Sequence, residues 1–122
     1  MEQVYHKLVR DRIPEVIRKN GQIPVTRALN PAEYRTALEQ KLLEECGEAL
    51  AAAGGSRVEE LADILEVIRA LAGLEGASLE EVMTAAQQKA QKRGTFSERI
   101  LLEKVIVPDA AGSGNEGRPL LT

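Results

Sequence analysis

The stretch EECGEALAAAGGSRVEELAD, Glu44 to Asp63, decides how this chain is read. Five of its twenty residues are Glu and one is Asp, yet Leu and Ala flank the acids throughout. Gly54-Gly55 interrupts an otherwise helix-favouring run, and a Gly pair is where a helix stops and a chain reverses. The stretch therefore predicts two helices joined in an antiparallel hairpin, with carboxylates crowded along the edges of their apolar stripes.

Placing residues about 100° apart around a helix makes this explicit. With Leu42 at zero on the first helix, Leu38, Ala49, Leu42, Ala53, Cys46, Leu50 and Leu43 fill one arc from roughly 320° to roughly 100°. Glu45, at about 300°, and Glu48, at about 240°, border that arc, with Lys41 between them. With Leu61 at zero on the second helix, Val67, Leu71, Ile64, Ile68, Leu61, Ala72, Leu65 and Val58 span roughly 240° to 60°. Glu60 falls inside this arc at about 260°, and Asp63 just beyond it at about 200°. Each helix thus carries an acid pair at i, i+3 on the rim of its buried stripe, Glu45/Glu48 and Glu60/Asp63, and the hairpin lets the two rims face each other.

Converging carboxylates in a partly dry place are costly unless they protonate or a cation sits among them. Four oxygen-donor side chains, with no Cys or His in the set, suit a hard divalent ion, Mg²⁺ or Mn²⁺. The competing reading is an ordinary solvated acidic face, which Glu59, Glu66, Glu80 and Glu81 fit, with Lys41 and Glu45 as a surface i, i+4 pair. Glu60 weighs against it, because it lies between Val67 and Leu71 on the wheel.

Working outward, helix boundaries are marked by their capping chemistry. Asn30-Pro31-Ala32-Glu33 supplies an N-cap, a Pro at the first helical position and a Glu at the third, opening a helix that runs to about Ala53. Ser56 with Glu59 reads as a capping box for the next helix, ending near Gly73, and Ser78 with Glu81 as another for a helix that Gly94 terminates. A short helix near the start has Pro14 in its first turn and Asn20-Gly21 at its end. Tyr5 to Arg12 can be extended, Ile23 to Leu29 is a connector or short strand, and Glu98 to Val107 is a strand or docking arm. Residues 108–122, rich in small and polar side chains, read as a disordered tail, leaving 1–107 as the single domain.

The chain has 122 residues, two Tyr, one Phe and no Trp, so its core must come from Leu, Ile, Val and Ala. That favours packed helices, and a domain this small gains from oligomerisation. A net charge of −3 argues against binding to a nucleic-acid polymer. A lone cysteine, Cys46, allows no intrachain disulfide, fits a reducing cytoplasm and reads as core. One Cys and one His supply no zinc set, and no run is long and apolar enough for a membrane span or a signal segment. His6 reads as a surface residue, and Phe96 as a plug after Gly94.

Glu44-Glu45-Cys46-Gly47-Glu48 followed by Glu60-Leu61-Ala62-Asp63 resembles the E-E-x-x-E … E-x-x-D signature of the all-α nucleoside triphosphate pyrophosphohydrolases, the MazG-like superfamily. Eleven residues separate the two halves, a slightly tighter hairpin than in many members. The flanks YHKLVRDRIPEVI and KAQKRGTF resemble its phosphoribosyl-ATP pyrophosphohydrolase-like house-cleaning subgroup, so that the likeness covers roughly Val4 to Leu102. It implies an all-α bundle built on a helical hairpin, a four-helix bundle completed by dimerisation. It also implies Mg²⁺-dependent hydrolysis of the α–β phosphoanhydride of a nucleotide, a non-standard triphosphate, to a monophosphate and pyrophosphate. By motif position, Glu45, Glu48, Glu60 and Asp63 are the metal ligands, and Glu44 acts beside them or positions water. Glu45 or Glu48 takes the proton of the attacking water. Lys89, Lys92 and Arg93, at the end of the last helix, together with Lys41, Lys7 and Arg10, become candidates for gripping the polyphosphate. Without the resemblance, Lys89, Lys92 and Arg93 are a dipole-complementing last turn and Lys7, Arg10 and Arg12 a surface ion-pair strip beside Asp11. Two rivals stand beside this reading: phosphoribosyl-ATP hydrolysis in histidine synthesis, and a non-catalytic helical dimerisation or nucleotide-binding module.

Overall fold

The computed structural model describes residues 1–109 and 122, and every regular element in them is a helix. In chain order these are α1 (Ile13–Lys19), α2 (Pro31–Ala51), α3 (Gly54–Leu74) and α4 (Leu79–Arg93). The expected all-α class is therefore observed, and neither 23–29 nor 98–107 forms a strand. Most of the tail expected over 108–122 lies outside the described residues. The chain divides into two compact units, Met1–Val82 and Met83–Thr122, with the boundary inside α4.

The first unit is organised by α2 packed on α3. Three cross-links fix an antiparallel register. Arg35 Nη1 donates to Glu75 Oε1 at 2.9 Å, the acids of Glu45 and Asp63 meet midway, and Arg57 Nε donates to the Ala49 carbonyl at 3.0 Å near the bend. The last of these satisfies a carbonyl in the final turn of α2, where no intrahelical donor follows. Asn30 caps α2 as expected. Its Oδ1 accepts from the Glu33 amide at 2.9 Å, while Glu33 Oε1 accepts from the Asn30 amide at 3.2 Å. Ser78 caps α4 likewise, with its Oγ accepting from the Glu81 amide at 3.1 Å.

The hairpin bend departs from the expected grammar. α2 stops at Ala51, not near Ala53, and α3 opens at Gly54, so Ser56 lies inside the helix and makes no cap. Ala52 and Ala53 are the extended link, and Gly54 enters α3 at φ +58°, a left-handed conformation that its missing Cβ permits. The alanine run carries no stop signal of its own, so the break falls where the chain must reverse for α3 to return along α2.

The apolar arcs are only half covered. Leu38 and Ala49 of α2, Val67 of α3 and Leu79 are the buried hydrophobic residues, whereas Leu43, Leu50, Val58, Leu61 and Leu65 remain exposed. On each helix the exposed residues lie at higher wheel angles than the buried ones, by roughly 100° or more. In an antiparallel pair that offset falls on the same side for both helices. The hairpin therefore has an apolar face opposite its acidic rim.

In the second unit, the rest of α4 ends at Gly94, whose amide donates to the Ala90 carbonyl at 2.8 Å with φ at +84°. Phe96 does not plug this junction: it is largely exposed, with no second helix among the described residues of that unit to cover it.

The caps give a direct test by urea unfolding. Asn30→Ala and Ser78→Ala should each cost about 1 kcal/mol, and Ser56→Ala less than about 0.5 kcal/mol. A Ser56→Ala loss equal to the other two would place the start of α3 at Ser56 after all.

Candidate metal centre

The hairpin brings Glu45 from α2 together with Glu60 and Asp63 from α3. One carboxylate oxygen from each lies within 4.8 Å of the others. Glu45 is only 6% exposed, the one buried charged residue among those described, although the wheel put it on the border of the stripe. Its position beside Leu38 and Ala49 on the α3-facing side of α2 explains the difference. Glu45 Oε2 and Glu60 Oε2 are both sealed from solvent and accept no hydrogen bond. Buried polar atoms are nearly always partnered, so two orphaned carboxylate oxygens in one place need a physical reason. Glu48 is exposed and lies outside the three-carboxylate group, but it is close enough for its charge to act on both Glu45 and Glu60.

Three cations line the rim. Lys41 Nζ is 3.5 Å from Glu45 Oε1 and 3.9 Å from Glu44 Oε1. Lys7 Nζ is 2.9 Å from Glu44 Oε1, and Arg10 Nη2 is 2.7 Å from Asp63 Oδ1. The basic cluster before α1 is thus neither a loose strip nor paired with its neighbour Asp11. It reaches across 37 and 53 residues of sequence to acids of the hairpin. Nothing in the local sequence specifies those partners. Five acids, Glu44, Glu45, Glu48, Glu60 and Asp63, face three cations, so full ionisation leaves two negative charges uncompensated.

The ionisation equilibria respond accordingly. Burial first, then the charge of Glu48 and a hydrogen bond with it, pushes the Glu45 carboxyl above its ordinary range, against the pull of Lys41. Burial, a hydrogen bond with Glu48 and the neighbouring charges do the same to Glu60. Glu44 moves the other way, because the Lys7 ammonium donates to it, and Lys7 is raised in return. The orphaned oxygens, the acid-only donor set and the charge excess all fit a divalent cation held by Glu45, Glu60 and Asp63, with Glu48 alongside.

Lys89, Lys92 and Arg93 belong to the second unit. Lys89 and Arg93 share a face of α4, as their spacing requires, and line a pocket of about 330 Å³ with Ala86, Gly94, Thr95 and Phe96. Arg93 Nη1 donates to the Thr122 carbonyl there. Lys92, in the same last turn, does not line it. His6 is exposed as expected, and Cys46 is half-buried. No helix among the described residues is long and apolar enough to cross a membrane.

The raised carboxyls predict a pH dependence. A group whose folded pKa is raised contributes stability below its unfolded value and loses it as pH rises. Glu33, held at about 2 by Arg27, and Glu44 have the opposite sign, and their contribution is lost only as pH falls below the ordinary carboxyl range. In chelator-treated protein, Tm should therefore fall as pH rises above the ordinary carboxyl range, through the Glu45/Glu60 pair. The Glu45→Gln/Glu60→Gln double variant should flatten that slope, and an unchanged slope would contradict the assignment.

Among known proteins, the chain is similar to an uncharacterized protein of Mycolicibacterium smegmatis, with 56% identity over 46 residues. That match covers 38% of this chain and 47% of the relative, so the chain spans about half the length of the curated relative it matches. No protein-family model matches the chain, and no solved structure matches it.

Proposed function

We propose that the protein is a divalent-cation-dependent nucleotide pyrophosphohydrolase, cleaving the α–β phosphoanhydride of non-standard nucleoside triphosphates to a monophosphate and pyrophosphate. The observation that carries this reading is the pair of buried, unpartnered oxygens, Glu45 Oε2 and Glu60 Oε2, beside Asp63. The resemblance of Glu44–Glu48 and Glu60–Asp63 to the MazG-like signature supplies the reaction class.

Glu45, Glu60 and Asp63, joined by Glu48, hold Mg²⁺ or Mn²⁺. When bound, the ion supplies Lewis acidity toward the phosphoanhydride, a reaction that needs charge neutralisation and an in-line water more than covalent help. Glu48, exposed and near both Glu45 and Glu60, is the carboxylate best placed to take the proton of an attacking water. Glu44 holds Lys41 at the rim, and Lys41, with Lys7 and Arg10 from the segment before α1, supplies positive charge to meet the phosphates. Lys89 and Arg93, which share a pocket within the second unit, are given no role in this centre, nor is Lys92.

The working form is a dimer. Leu43, Leu50, Val58, Leu61 and Leu65 expose on the order of 600 Å² of apolar side chain, approaching the ~800 Å² each partner contributes to a stable interface. A second copy of the same hairpin suits this face, since two hairpins packed through it complete a four-helix bundle around the half-covered arcs. Light scattering should give the mass of two chains or a multiple of it. Leu61→Glu/Leu65→Glu should give one chain. A monomeric wild type would remove the dimer.

Pyrophosphate release from a panel of ordinary and modified triphosphates, with phosphoribosyl-ATP as a separate arm, tests the activity. Glu60→Gln should lower turnover by at least roughly 100-fold while leaving Tm without metal unchanged or higher, because repulsion is relieved. Preference for phosphoribosyl-ATP would move the protein to the histidine pathway. Full activity of the variant would end the metal reading.

A further inference from the structure

We propose that residues 4–12, through Arg10 and Lys7, form a cation-displaceable strap: they hold the acidic rim while no metal is bound and let go when a divalent cation enters. The inference rests on the metal reading above. Arg10 donates to Asp63, one of the three clustered carboxylates, at 2.7 Å, and Lys7 donates to Glu44, next to the buried Glu45, at 2.9 Å. One acid comes from each helix, so the segment bridges α3 and α2. None of the three rim cations partners the orphaned Glu45 Oε2 or Glu60 Oε2. The internal counter-charge is therefore placed around the centre and not within it.

Beyond these pairs, the segment is tied only at its end, where the Arg10 and Arg12 carbonyls accept from the Ile13 and Val16 amides of α1. It precedes α1 and has no regular structure. Val4, Tyr5 and Val9 are exposed, and Leu8 alone is half-buried. The side chains of Arg10 and Asp63 are 57% and 42% exposed, and ion pairs so well solvated contribute little. A dication on Glu45, Glu60 and Asp63 draws on the same negative charge that holds Arg10, and it repels Arg10, Lys7 and Lys41 at short range. The most solvated contacts give way, and they are those of the strap, since Lys41 is fixed on α2 and half-buried beside Glu45. Release turns two cations from the acids toward solvent, where an anionic ligand can meet them.

The two cations are themselves trypsin sites. With Mn²⁺ as the probe, cleavage after Lys7 and Arg10 should accelerate relative to cleavage after Lys104, an internal reference. Mn²⁺ affinity, followed by the EPR signal of free Mn²⁺, should rise about twofold to fivefold in Arg10→Gln, whereas Lys19→Gln, which loses only the pair to Glu15, should leave it unchanged. Weaker Mn²⁺ binding by Arg10→Gln, with slower cleavage after Arg10 in Mn²⁺, would overturn the strap and make Arg10 a positioning residue for Asp63. Unchanged affinity and cleavage, with Mn²⁺ bound, would also overturn it and leave the metal reading standing. No Mn²⁺ bound to any variant would remove both.

Discussion

Unbalanced negative charge between α2 and α3 is the constraint on which the rest depends. Glu45 is buried against α3 and Glu60 turns an oxygen into the same sealed space, with Asp63 and Glu48 at its margin. An isolated carboxylate in such a place costs several kcal/mol. The fold tolerates the group by three means: protonation of Glu45 and Glu60 is favoured, Lys41 stands against Glu45, and a chain segment from before α1 brings Lys7 and Arg10. None of the three reaches the orphaned oxygens as a hydrogen-bond donor. A rigid hairpin with such a cluster has more use for the strain as a binding site than for its own stability, since replacing the acids by apolar residues would fill the same space at less cost.

Two faces of one hairpin then have distinct duties. The acidic rim gathers the ionisable groups. The opposite face carries Leu43, Leu50, Val58, Leu61 and Leu65, too many large aliphatics for one neighbouring helix to cover. Both follow from a single rotation of the helices about their axes: turning α2 to bury Leu43 would carry Glu45 out to solvent and dissolve the cluster. In the proposed dimer, a second hairpin would cover the apolar face without disturbing the acids.

Much of the architecture was legible in the sequence, because it is written in local chemistry. Asn30 and Ser78 cap the helices they were expected to cap, Gly94 ends α4, and the wheel placed Glu60 among apolar neighbours. The bend was misplaced by two residues, since Ser56 satisfies the pattern of a capping box while the position of chain reversal is set by how α3 packs on α2. The depth of Glu45 and the exposure of Leu43, Leu50 and Phe96 were not legible for the same reason: a wheel gives direction, and only the neighbours decide cover. The Lys7–Glu44 and Arg10–Asp63 pairs lay further out of reach, being contacts over long sequence separations between side chains that have many acidic choices.

The most direct measurement is anomalous diffraction from crystals equilibrated with Mn²⁺. A peak bounded by the carboxylates of Glu45, Glu60 and Asp63 is the predicted result, with both formerly unpartnered oxygens turned to it. Manganese found only elsewhere, with those three side chains unchanged, would contradict the claim that the hairpin is built around a divalent cation.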